Sequence, residues 1–312
     1  MFSLVIPVYK NEASLDELLA ALANLHQALT EHLEVVFVVD GSPDRCFDRL
    51  QESLSNAPFQ ARLLLLSRNF GSFSAIRAGL DVARGPYFAV MAADLQEPPE
   101  LVVEFFHSLQ NEDIDVVIGT REARDDPWIN RVSASLFWNL YRKFVAPDMP
   151  IGGVDVFGCN QMFRDQLLAL EESHSSLIGL IFWLGFRRKL VGYTRQARRH
   201  GKSAWTLHKK INYLMDSVFA FSDLPIKVLI GVGGFGLAAS LLLGGLALIA
   251  RLFSEHIIPG YTATVLTIVF FSALNMFSLG LIGSYAWRAY ENTKRRPAYV
   301  VLRDLQFRGE IS

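Results

Sequence analysis

The chain has 312 residues and a net charge of −1, and 51% of the residues are hydrophobic, with a mean hydropathy of +0.25. This length accommodates one α/β domain and a smaller unit, the balance is too apolar for an enzyme living wholly in water, and the charge makes no electrostatic case for nucleic acid. The two cysteines, Cys46 and Cys159, lack metal-ligand spacing and suit a reducing compartment, so no disulfide is expected.

From the start of the chain, short apolar runs alternate with helix-like stretches. Strands are predicted over residues 3–7, 34–39, 61–66, 87–92 and 115–119. Between them, Leu15, Leu18, Leu19, Leu22 and Leu25 recur at helical spacing within 14–29, and further helices are predicted over 44–54 and 74–83. Such alternation predicts a doubly wound α/β domain with a parallel sheet and crossover helices. Ligands of such sheets sit at the carboxyl ends of the strands, where the polar loops 8–12, 40–44, 68–71 and 94–100 fall. Past Pro127, a helix over 129–145, a Gly-Gly turn at 152–153 and a helix around 165–170 are expected to complete the globular part.

The apolar excess lies near the C-terminus. Residues 228–250 and 257–287 contain no charged side chain, and each run exceeds the roughly 20 residues that cross a bilayer's hydrocarbon. Two transmembrane helices are therefore predicted. Basic residues flank them, Arg198, Arg199, Lys202, Lys209, Lys210 and Lys227 before and Arg288, Lys294, Arg295 and Arg296 after, so both chain ends are expected in the cytoplasm. Residues 2–9 have neither a basic leader nor an apolar region of secretory length, which leaves insertion to the C-terminal spans. Over 204–221, Trp205, Ile211, Leu214, Met215, Val218 and Phe219 line one side of an amphipathic helix that either lies on the bilayer or packs on the domain edge. Gly236, Ser240 and Gly244 form a small-residue stripe in the first span that would admit a neighbouring helix.

Asp94 ends an apolar strand and precedes Leu95-Gln96-Glu97-Pro98-Pro99. A carboxylate there, with an amide oxygen two residues on and a rigid Pro-Pro behind, can hold a hard cation such as Mg²⁺ or Mn²⁺ through oxygen. The same residue would serve equally as a helix N-cap.

The order of the segments is more specific than any one of them. Val5-Ile6-Pro7-Val8-Tyr9-Lys10-Asn11-Glu12, Val39-Asp40-Gly41-Ser42-Pro43-Asp44, Ser67-Arg68-Asn69-Phe70-Gly71 and Ala93-Asp94-Leu95-Gln96-Glu97-Pro98-Pro99-Glu100 fall on successive strand ends. With Gly119-Thr120-Arg121 and Arg198-Arg199-His200-Gly201-Lys202-Ser203, the chain resembles the dolichol-phosphate-mannose synthase and bactoprenol-glucosyltransferase group of inverting family-2 glycosyltransferases. The resemblance runs through essentially the whole chain, because the bactoprenol enzymes also carry two C-terminal membrane helices.

The resemblance implies a GT-A domain over residues 1–200, an amphipathic juxtamembrane region over 201–224, a two-helix transmembrane hairpin over 225–290 and a cytoplasmic tail over 291–312. It implies a nucleotide-sugar donor, a polyprenyl phosphate acceptor and a multi-pass location in the inner membrane with the catalytic domain cytoplasmic. In that family's pattern Pro7, Tyr9, Glu12 and Asp40 line the nucleoside pocket, and Asp94 and Gln96 match the metal positions. Arg121, Arg131 and Ser135 match positions that hold the acceptor phosphate, while Arg198, Lys202 and Ser203 belong to the late loop that closes over the donor phosphates. Asp155 matches an acidic position near the sugar, where it would orient the acceptor or a sugar hydroxyl. Two acids of the family's pattern are replaced, by Val39 before Asp40 and by Ala92 before Ala93-Asp94. This departure keeps open a non-catalytic membrane scaffold beside the transferase. A polysaccharide synthase ranks lower, for want of a Gln-x-x-Arg-Trp motif and of enough spans for a channel.

Overall fold

A computed structural model describes residues 1–29, 31–123, 142, 149–150, 154–170, 172, 176–196, 215–222, 224–253 and 260–309. Its sheet begins with β1 (Phe2–Val8), β2 (Leu33–Val39), β3 (Gln60–Leu66) and β4 (Tyr87–Val90). All four pair in parallel in the order β3-β2-β1-β4, with β1 and β2 buried almost throughout. Near-continuous apolar runs are what strands need when helices cover both faces.

Successive side chains of these strands point to opposite faces, and each face has its own helices. Leu4, Ile6, Val35 and Phe37 pack with α1 (Leu15–Ala28), α2 (Cys46–Ser53) and α4 (Glu100–Asn111). Val5, Val36, Val38 and Leu64 pack with α3 (Ser72–Val82), α5 (Gln161–Ala169) and α6 (Leu177–Trp183). α1 buries Leu15, Leu18, Leu22 and Leu25, the stripe read from the sequence. On the other face α3 rides so close to β1 that a Cβ at Gly79 would stand 2.3 Å from Val5 Cγ1.

The sheet is mixed rather than parallel throughout. Beyond β4 lie β6 (Val154–Asn160), β5 (Val116–Ala123) and β7 (Arg188–Thr194); β6 runs antiparallel to both β4 and β5, and β5 runs parallel to β7. At the opposite edge β8 (Val301–Phe307) pairs antiparallel with β3. Thus part of the expected tail of 291–312 is a strand that covers an otherwise open edge. Arg62 donates to both carboxylate oxygens of Asp304, at 2.9 and 2.6 Å, and Tyr299 donates to Asp81 at 2.9 Å.

Helix α7 spans Leu224–Phe253 and α8 spans Tyr261–Thr293. Among the described residues, Thr267–Thr293 is long and apolar enough by length and composition to cross a membrane. The helical segment Met215–Phe221 meets the start of α7 at a bend of 83°. Its Phe221 ring rests on α6, where a Cβ at Gly179 would stand 2.3 Å from that ring. Asp216 on the same segment pairs with Arg288 of α8 at 2.8 Å. The rest of the expected amphipathic helix, the helix over 129–145 and the turn at 152–153 lie outside the described residues.

Candidate active site

The loops after β1, β2, β3 and β4 gather at one end of the sheet, as parallel pairing requires. The first two are joined by a network. Lys10, with φ +57°, donates its backbone N–H to Ser42 Oγ at 2.8 Å, and the Ser42 hydroxyl donates to Asp44 at 2.6 Å. The Glu12 N–H donates to Asp44 at 3.3 Å, and the Glu12 carboxylate accepts the Arg45 N–H at 3.1 Å. Burial opposes ionisation of Asp44, but bonds from Cys46, Ser42 and the Glu12 backbone outweigh it and hold the carboxyl below its ordinary range. Burial, then the neighbouring Asp44, pushes the Cys46 thiol up to about 12, so this cysteine is an inert thiol.

Asp40 joins the second loop to the third. Its side chain is 2% exposed, and its two oxygens accept the N–H groups of Phe70 at 2.7 Å and Gly71 at 2.8 Å. Burial raises its pKa against the lowering effect of those bonds and of Arg68. The carboxylate thus shapes the 68–71 loop, an arrangement the nucleoside assignment did not include. Gly41, at φ +55°, lets the two loops approach: a Cβ there would stand 2.3 Å from the Arg68 carbonyl carbon.

The turn after β4 is held differently. Leu95 adopts φ +51°, and the Gln96 N–H donates to Asp94 at 3.4 Å, the short side-chain turn an aspartate makes two residues back. Gln96 then reaches the end of β7. The Gln196 N–H donates to the Gln96 carbonyl at 2.9 Å, Arg195 Nη2 donates to Gln96 Oε1 at 2.6 Å, and Gln96 Nε2 donates to the Gln196 carbonyl at 3.3 Å. Asp94 offers the carboxylate a hard cation requires. Gln96 offers less than its oxygen promised, because a cation on Oε1 would sit against the Arg195 guanidinium. Among the described residues no group of three His, Cys, Asp or Glu could hold a metal ion, so a cation here would draw further oxygens from its own ligand.

Of the other expected site residues, Pro7 ends β1 half-buried beside the loop that carries Tyr9 and Glu12. Arg121 lies near the end of β5, in register with Tyr193 of β7. Asp155 is the second residue of β6, and its side chain is outside the described residues, as are Arg131, Ser135, Arg198, Lys202 and Ser203. Ser42, Asp44, Arg45 and Arg195 were not assigned from the sequence. The first two stand in a motif that was read, whereas Arg195 gave no cue beyond the basic run that follows it.

The glycosyl transferase family 2 profile matches residues 3–170, the stretch that carries all four loops. An uncharacterized glycosyltransferase of Synechocystis sp. is 32% identical over 96% of this chain and 94% of its own length. The bactoprenol glucosyl transferase of Shigella phage SfV is 28% identical over 97% of this chain and 99% of its own. A solved structure of glucosyl-3-phosphoglycerate synthase from Mycobacterium tuberculosis, in complex with Mn²⁺, uridine diphosphate and phosphoglyceric acid, is 17% identical, covering 70% of this chain and 76% of that one with a TM-score of 0.49. The chain, a GT-A-like α/β nucleotide-binding fold with a mixed sheet, belongs to glycosyl transferase family 2 and is a glycosyltransferase.

Proposed function

We propose that this glycosyltransferase moves a sugar from a nucleoside-diphosphate sugar, with uridine as the base, onto polyprenyl phosphate of the undecaprenyl type at the cytoplasmic face of the inner membrane, inverting the anomeric carbon. The observation that carries this reading is the bridge from the Asp94 turn to the end of β7 through Gln96, Arg195 and Gln196. It holds the turn that carries Asp94 against Gln196, which precedes Arg198 by two residues in the chain, and on this reading the Arg198–Ser203 loop closes over the donor diphosphate. The lipid acceptor is supported by bactoprenol glucosyl transferases that match nearly end to end. It is supported too by α8, which exposes more than half of Ile268, Val269, Phe270, Met276, Phe277 and Ile282. On this reading α7 and α8 form a two-span hairpin, with Gly236 of α7 against the Phe271 ring of α8, and the protein forms a homo-oligomer.

Chemically the acceptor needs little activation. A phosphate monoester has a second pKa near 6, so its attacking oxygen is mostly ionised at neutral pH and positioning outweighs base catalysis. Arg121, with Arg131 and Ser135, would hold that phosphate in line with the anomeric carbon, since guanidinium forks pair with phosphate oxygens. Asp155 would orient a sugar hydroxyl or the acceptor. Pro7, Tyr9 and Glu12 would flank the nucleoside, on loops whose shape Asp40 and Asp44 maintain. A Mg²⁺ or Mn²⁺ ion at Asp94 would supply charge stabilisation to the leaving diphosphate, shared with Arg198, Lys202 and Ser203.

The test is transfer of radiolabelled sugar from UDP-, GDP- and dTDP-sugars to undecaprenyl phosphate in detergent, with Mg²⁺, Mn²⁺ or EDTA. One labelled lipid that requires metal is the expected result. Failure of every donor while nucleotide still binds would instead assign the chain to a different acceptor or to the scaffold that Val39 and Ala92 leave open.

A further inference from the structure

A shallow groove of about 360 Å³ lies between the segment Met215–Phe221 and the last turns of α8, lined by Asp216, Gly280, Gly283, Ser284, Trp287 and Arg288. We propose that this groove docks the phosphate-proximal part of the lipid acceptor, with Arg288 receiving the phosphate as it enters from the bilayer. The inference rests on the lipid-acceptor reading above and adds a site to it.

Depth along α8 is the first argument. The helix is uncharged from Tyr261 to Trp287, and Arg288 is its first charge. Trp287 and Tyr290 beside it are the ring types that settle at a membrane–water boundary. A cation there stands at headgroup level, on the side of the bilayer to which β8 returns.

The shape of the floor is the second. Gly280 and Gly283 present bare backbone within an otherwise bulky helix face, and a Cβ at either would meet nothing within 4 Å. From Gly280 to Arg288 the helix rises ~12 Å, room for a phosphate and the first part of its apolar chain. Phe277, one turn before Gly280 on the same side of α8, is 63% exposed, so the groove continues into apolar surface fit for acyl or isoprenoid chains.

Third is the state of the guanidinium. Arg288 Nη2 donates to Asp216 at 2.8 Å and the group lies 4.8 Å from the Phe219 ring centre, whereas Nη1 is buried with no hydrogen-bond partner. Asp216 and Phe219 hold the fork against the wall of the groove that Arg288 lines, with Nη1 turned inward. A buried guanidinium N–H without an acceptor is costly, so a rotation of the fork that turns Nη1 into the groove and onto a phosphate oxygen relieves that cost. Asp216 also reduces the local positive charge. The groove should therefore favour a phosphate carried by an apolar chain over free phosphate, which lacks burial to offset that carboxylate.

The experiment uses the full chain in nanodiscs. Gly283→Leu would fill the floor without displacing a neighbour, and Arg288→Gln would remove the cation. Each is expected to raise the apparent KM for undecaprenyl phosphate by about tenfold or more while the donor KM stays within about twofold, with inorganic phosphate failing to compete. An unchanged lipid KM in both variants would overturn the inference, as would a parallel rise in donor KM or competition by inorganic phosphate. If the wild type labels no lipid at all, the functional reading fails independently. The groove is then tested on Asp94→Asn protein with a photoreactive polyprenyl phosphate: crosslinks within residues 277–288 support it and their absence refutes it.

Discussion

The loops after β1, β2 and β3 are bound to one another, whereas the turn after β4 is bound across the sheet to the end of β7. In the first corner, the side chains of Ser42, Asp44 and Asp40 together accept the backbone N–H groups of Lys10, Glu12, Cys46, Phe70 and Gly71. In the second, one glutamine supplies both side-chain bonds to Arg195 and Gln196. The first corner is thus preorganised before any ligand arrives. The second is tied by side-chain bonds from a single residue of its turn, Gln96, to the end of β7. Under the proposed function the first corner flanks the nucleoside and the second lies beside the reacting phosphates, so the part of the site that only binds is the more heavily cross-linked.

Asp94→Asn should break this contrast most visibly. Removing the carboxylate while keeping the turn's shape is expected to lower kcat by ~10³ with the melting temperature nearly unchanged, since the loss falls on charge stabilisation of the leaving group. Steady-state kinetics beside a thermal melt would show it. A loss confined to the donor KM would mean that Asp94 belongs with the rigid corner.

Gly41→Ala attacks the other side of the comparison. A Cβ must displace the Arg68–Asn69 backbone, and the residue must keep a left-handed φ, so a stability loss of about 2–4 kcal/mol is expected. For a unit of this size that is roughly 2–4 °C of melting temperature per kcal/mol, accompanied by weaker nucleotide binding. A variant as stable as the wild type would show that the loops are not locked together.

Acid titration sharpens the distinction within the rigid corner, because Asp40 and Asp44 shift oppositely. Asp44 has a lowered folded pKa, so its stabilisation is present above the unfolded value near 3.9 and is lost as pH falls through the folded one. Asp40 has a raised folded pKa; its contribution is fullest below the unfolded value and is lost as pH rises through the folded one. The deficit of Asp44→Asn should therefore be largest near neutrality and shrink toward acid, while the deficit of Asp40→Asn should grow toward acid. Melting temperatures of both variants from pH 3 to 7 check this, and parallel curves would refute the assignment of opposite shifts.

How legible these features were followed burial. β1 to β4 show in the sequence because both faces are covered and the runs are apolar throughout. β6 begins Val154-Asp155 and contains Gly158 and Asn160, so its pattern reads as a loop until β4 and β5 pair with it from either side. β8, reading VLRDLQF, is mostly exposed; only the edge of β3, more than 200 residues away in sequence, makes it a strand. α4 was missed although Leu101, Val102, Phe105, Phe106 and Leu109 form a plain stripe, because Pro98-Pro99 was read only as a rigid turn. At the site, Asp94's place at a strand end was readable. The commitment of Gln96 to Arg195 was not, since the two are 99 residues apart and no local pattern links them.

The smallest expected effect belongs to β8, and it asks whether the edge strand is part of the rigid corner. Val300 accepts the Ser67 N–H at 2.9 Å just before the 68–71 loop, so the residue leading into β8 touches the chain that Asp40 shapes. Its clamp is a two-pronged pair between Arg62, 16% exposed, and Asp304, 36% exposed, with Arg62 Nη1 also donating to the Val82 carbonyl at 2.9 Å. The Arg62 bonds hold the Asp304 carboxyl below its ordinary range, but water screens a carboxylate so exposed, and such pairs contribute only about 0–1 kcal/mol. Arg62→Met should therefore lower the melting temperature by no more than a few degrees while speeding proteolysis near residues 300–309. If β8 only covers the edge of β3, the donor KM will stay within about twofold. A larger rise would mean that the strand returning from α8 tunes the loops after β1, β2 and β3, and would extend the rigid corner to the element that follows α8.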